Sequence, residues 1–66
     1  MKNSLKVERA KQDLTQEALA KAVGVSRQTI ISIESGKYIP TTVLALKLAH
    51  FFNTPVEQLF KLETHD

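Results

Sequence analysis

The segment Gln16–Glu34, QEALAKAVGVSRQTIISIE, constrains what this 66-residue chain can fold into more than any other stretch. Its apolar residues fall at Leu19, Val23, Val25, Ile30 and Ile33, a spacing that suits two short helices packed on each other. Ala20 is small where the two helices cross, and Gly24 occupies the turn, where a left-handed backbone ends the first of them. Ser26 is a good N-cap, so the second helix opens on Arg27, Gln28 and Thr29.

The rest of the chain has little room for anything but the same kind of element. A chain of 66 residues makes one domain, residues 1–66, with a small core and marginal stability on its own. Small domains add disulfides, a metal or self-association. Cysteine is absent, and His50 and His65 stand without partners, so no metal or other cofactor is expected and self-association remains. No apolar run approaches the ~18 residues of a membrane span, and the N-terminal MKNSLKVERAK has no apolar signal core. The expectation is a soluble, cytoplasmic protein with no membrane contact.

Helical periodicity runs through almost the whole chain. Helix one is expected from about Ser4, its candidate N-cap, to Gln12. Leu14 then packs inward, Thr15 caps helix two at about 16–22, and helix three covers about 27–34, with Gly36 just past its end. Pro40 forbids continuation, and Thr41 or Thr42 caps helix four, about 42–52, whose core face carries Leu44, Leu48 and Phe51 or Phe52. Thr54-Pro55-Val56-Glu57 combines a capping box with proline at the first position of a short helix five, about 55–60. Phe60–Thr64 alternates as a strand does, with Phe60, Leu62 and Thr64 on one side; residues 1–4 or another chain are its candidate partners. The fold class is therefore all-α, a compact five-helix domain with room for a short two-stranded antiparallel sheet from the termini.

Charge is distributed unevenly. Residues 1–37 hold seven Lys and Arg against four Asp and Glu, net +3, whereas residues 38–66 hold two against three, net −1. The basic half contains the helix pair, as a phosphate-facing surface requires. On a wheel of 100° per residue, Ile30 and Ile33 define the buried side of helix three. Gln28, Ile31, Ser32 and Ser35 fall opposite, with Arg27 and Thr29 at the margins. That face carries no carboxylate, although Glu is a usual filler of a solvated helix surface. Its chemistry suits base edges: Gln28 can pair with adenine, Arg27 with guanine or a phosphate, Ser32 with several bases, and Ile31 can touch a thymine methyl. The start of helix two, Thr15 and Gln16, offers free N–H groups and a positive dipole end to a phosphate. Ser26 and Thr29 at the start of helix three, and Ser35 with Lys37 after it, complete the candidate phosphate contacts.

In Leu14-Thr15-Gln16-Glu17, Leu19-Ala20, Gly24-Val25-Ser26, Ile30, Ile33-Glu34, Gly36, Lys37 and Pro40, and then in Leu44, Leu48-Ala49, Pro55 and Phe60, the chain resembles the Cro/cI-type (XRE-like) helix-turn-helix family. SRQTI, KYIP, LALKLA and FNTPVEQLF resemble its compact stand-alone dimeric repressors. The family core covers about residues 5–59 and the motif about 16–35. The resemblance implies a five-helix, lambda-repressor-like DNA-binding domain: a sequence-specific transcriptional regulator, and a repressor by the closer likeness. It implies a homodimer on a near-palindromic double-stranded operator, with half-sites about 34–36 Å apart. It implies Gln16 as a phosphate anchor, Arg27, Gln28 and Ser32 as base readers, and paired strands from residues 1–4 and 60–65. It also accounts for an oddity. Glu34 places a negative charge at the disfavoured end of a helix, and family members pair this residue with an arginine on helix one, here Arg9. The pattern departs from the family at Glu8, where an apolar residue is usual; Val7 or Ala10 would compensate through a small rotation of helix one.

Catalysis finds no support: cysteine, a histidine beside a plausible partner and a glycine-rich phosphate loop are all absent, and no small-molecule pocket is legible. The rival function is an antitoxin or adaptor acting through protein contacts. The apolar residues Ile39, Val43, Phe60 and Leu62 in the acidic half are assigned to the homodimer interface.

Overall fold

The computed structural model describes all of residues 1–66. Five helices, α1 (Leu5–Lys11), α2 (Gln16–Val23), α3 (Arg27–Glu34), α4 (Thr42–Phe51) and α5 (Val56–Leu59), are framed by two short strands, β1 (Lys2–Asn3) and β2 (Phe60–Lys61). The strands pair antiparallel within the one chain, Lys2 opposite Lys61 and Asn3 opposite Phe60.

Local chemistry starts three of the helices. The hydroxyls of Thr15, Ser26 and Thr41 accept the backbone N–H of Ala18, Thr29 and Leu44 at 3.0, 3.1 and 3.2 Å, so each satisfies one of the donors that a helix start leaves free. At the start of α1 the side chain of Ser4 makes no such bond. Asn3 does it instead, its Oδ1 accepting from Leu5 N at 3.2 Å. The expected capping box of α5 is also absent. Thr54 Oγ1 donates back to Phe52 O at 3.0 Å, and Pro55 stands before the four-residue helix rather than inside it.

Left-handed residues close the helices. Gly24 takes φ 76° and Gly36 φ 80°, while Asp13 and Asn53, at 51° and 50°, do the same after α1 and α4. Nothing lies within 4 Å of where a Gly24 Cβ would sit, so Gly24→Ala meets only the conformational penalty. We expect a loss of about 1 kcal/mol in urea-unfolding free energy.

Every helix contributes to one core. Leu5, Leu19, Ile30, Ile33, Leu48 and Leu59 are fully buried, one or two from each helix, and no polar residue is buried among them. The small Ala20 is also buried. Phe52 rather than Phe51 enters the core. In α1, Val7 and Ala10 both stay exposed. No rotation replaces the apolar residue missing at Glu8, whose carboxylate bonds Lys11 Nζ at 3.1 Å. The strand ends at Lys61, so Leu62 is 82% exposed, whereas Phe60 on the inner side is 8% exposed and packed in the core. The ring of Phe60, assigned to the interface from the sequence, is covered within the chain.

Candidate nucleic-acid interface

The outer side of α3 is open. Arg27, Gln28 and Ser35 are exposed, and Thr29, Ile31 and Ser32 are half-buried. Gln28 Nε2 donates to Ser32 Oγ at 3.3 Å, one turn on, which orients two polar groups along the same face. Ser26 Oγ and Thr29 Oγ1 lie 2.9 Å apart at the start of the helix, and Ser35 Oγ donates to Ser32 O at 3.0 Å at its end.

The only acid of α3 turns away from this face. Glu34 has a side chain 7% exposed and meets Arg9, 14% exposed, in a bidentate pair: Arg9 Nε to Oε2 at 2.6 Å and Nη2 to Oε1 at 3.0 Å. Arg9 Nη1 also donates to Leu14 O at 2.8 Å, and Gln16 Nε2 donates to Glu34 Oε1 at 3.1 Å. Burial pushes the Glu34 carboxyl up, but the hydrogen bonds from Arg9 and Gln16, with the charges of Arg9 and Lys6, outweigh it and hold the group below its ordinary value. Arg9, Gln16 and Glu34 thus tie α1, the start of α2 and the end of α3 to one point. Gln16 has a second amide proton, so this bond does not use up its capacity to donate.

The hydroxyls of Thr15 and Ser26 accept the cap bonds of α2 and α3, and that of Thr15 keeps a proton to donate. Lys37 is exposed just beyond α3. Ile39 and Val43 are exposed, 62% and 64%, on the connector and the start of α4. Two further residues bear on α3. Tyr38, exposed on the connector, borders a shallow depression with Gln28, Thr29 and Ser32, and its N–H donates to Ser32 O at 3.2 Å. Asn3 reaches α3 from the terminal sheet, Nδ2 donating to Ile33 O at 2.8 Å. The Asn3 contact has no local sequence signal, because it depends on the chain ends being brought together by the sheet. No three His, Asp or Glu side chains gather into a metal-binding group, and no helix is long and apolar enough to cross a membrane.

Comparison with known proteins agrees with this geometry. The helix-turn-helix family profile matches residues 5–59. An uncharacterized HTH-type transcriptional regulator of Methanocaldococcus jannaschii is 59% identical over 63 residues, 96% of each chain. The cryptic phage CTXphi transcriptional repressor RstR of Vibrio cholerae is 35% identical over 51 residues, 77% of this chain and 46% of its own. Among solved structures, the SOS-response transcriptional repressor LexA of Eubacterium rectale superposes with a TM-score of 0.80 at 32% identity, over 94% of this chain and 66% of that one.

Proposed function

This chain belongs to the Cro/cI-type (XRE-like) helix-turn-helix family of transcriptional regulators, and on that premise we propose that it is a sequence-specific repressor that binds double-stranded DNA as a homodimer. In this reading α3 enters the major groove of each half of a near-palindromic operator, with half-sites about one helical turn, ~34 Å, apart. Gln28, Ser32 and Ile31 meet base edges, Arg27 a guanine or phosphate, and Thr15, Gln16, Ser26, Thr29, Ser35 and Lys37 the backbone. Ile39, Val43 and Leu62 are the exposed apolar residues assigned to subunit pairing. The protein works in the cytoplasm, on the nucleoid, and carries out no catalysis.

The observation that supports this most is the orientation of Glu34. A polyanion can approach α3 closely because its one carboxylate is folded back on Arg9, leaving amide, hydroxyl and guanidinium groups outward. The test is selection of bound duplexes from a random pool, followed by footprinting of the selected sequence. Gln28→Ala is expected to relax base preference at one position per half-site by about 1–3 kcal/mol. An unchanged preference in the variant removes Gln28 from the reading set. A tight 1:1 complex with another protein and no duplex preference would favour the adaptor role.

A further inference from the structure

We infer that Asn3 is a positioning residue for the DNA reader, fixing the tilt of α3 through the carbonyl of Ile33; this rests on the DNA-binding role proposed above. The end of α3 is pinned at two adjacent residues from two different directions. Glu34 is held by Arg9 and Gln16 through its side chain. Ile33 is held by Asn3 through its main chain, at 2.8 Å.

Asn3 is itself immobilised. Its Oδ1 accepts from Leu5 N, and its backbone is paired with Phe60, whose ring lies in the core. The next residue is tied as well, Ser4 N donating to Leu59 O at 3.0 Å. Both ends of the Asn3 amide are therefore used, and the group spans from the terminal sheet to the recognition helix. Gln28 lies five positions before Ile33 in a helix of eight residues, roughly 7.5 Å along the axis. A tilt of about 10° at the Ile33 end moves Gln28 by about 1.3 Å, beyond the ~0.5 Å within which a recognition group must be held. Asn3 touches no base in this arrangement; it acts through α3.

The test uses Asn3→Ala and Asn3→Asp. The aspartate keeps the acceptor for Leu5 N–H, removes the donor and sets a carboxylate against the Ile33 carbonyl beside Glu34. Affinity for the selected duplex and for a scrambled duplex is measured well below the melting temperature, with the 13C shift of the Ile33 carbonyl in the free protein. We expect both variants to lose about ten-fold on the selected duplex, close to the effect of misplacing one reading pair. Affinity for the scrambled duplex should stay within two-fold, and the Ile33 carbonyl signal should move upfield. A merely stabilising residue would leave the ratio of the two affinities unchanged. That result, or an unmoved Ile33 signal, overturns the assignment. A parent protein that prefers no duplex overturns the DNA reading itself, and the role of Asn3 with it. Should Asn3→Asp not fold, Asn3→Ala carries both readouts.

Discussion

Arg9→Ala should lower the unfolding free energy by about 3 kcal/mol, the scale expected when one partner of a largely buried pair is removed. The substitution leaves the Glu34 carboxylate, 7% exposed, with Gln16 as its remaining hydrogen-bond partner, and it frees the Leu14 carbonyl that Arg9 also satisfies. Total stabilities of small domains are about 5–15 kcal/mol, so roughly a fifth to three-fifths of the margin is at stake. At this size the melting temperature should drop on the order of 15 °C. The loss carries a pH signature. Glu34 titrates below its ordinary value of 4.5 in the folded chain, so the pair contributes fully above that pH. Its contribution disappears as the pH falls through the depressed folded value. Arg9 stays charged throughout. Urea unfolding at pH 7 should therefore separate parent and variant by the full amount, and unfolding near pH 3 by less. An equal gap at both pH values would assign the loss to packing of the arginine stem rather than to the charge pair.

What the chain reveals by itself follows the range of the forces involved. Thr15 and Ser26 are readable as caps, and Thr41 as one of two candidates, because a hydroxyl and an N–H three residues on need no distant partner. The face of α3 was readable for the same reason: Ile30 and Ile33 fix which side is buried, and Gln28 follows on the other. Where two local bonds compete, the pattern misleads. Thr54 has the spacing of a cap, but Asn53, at φ 50°, turns the chain so that the hydroxyl returns to Phe52 O. Where the partner is remote, the pattern is silent. Alternation put Phe60 and Leu62 on one side of a strand, but pairing ends at Lys61, so the first is buried and the second is not. Asn3 joins α3 only because a sheet brings the chain ends together.

The steepest functional effect should come from salt. A complex that releases counterions from Z phosphates loses affinity with a log–log slope of about −0.9Z. The proposed contacts are mostly neutral hydroxyls and amides, which hold phosphates without adding to that slope; the exposed cations beside them are Arg27 and Lys37. Two of each in a homodimer make Z about 4, a slope of about −3.6, and a loss of roughly 100-fold in affinity between 50 and 200 mM salt. A single subunit on a half-site would show half that slope. Lys37→Ala should bring the dimer slope to about −1.8 while leaving base preference intact, because Lys37 lies past the end of α3 and off the face that carries Gln28 and Ser32. If the slope does not respond to Lys37→Ala, the backbone is held by other cations, and the exposed lysines of α1 and α2 become the next ones to replace. If affinity is nearly flat with salt, no cation of the chain neutralises a phosphate, and the assignment of Arg27 and Lys37 to the backbone falls.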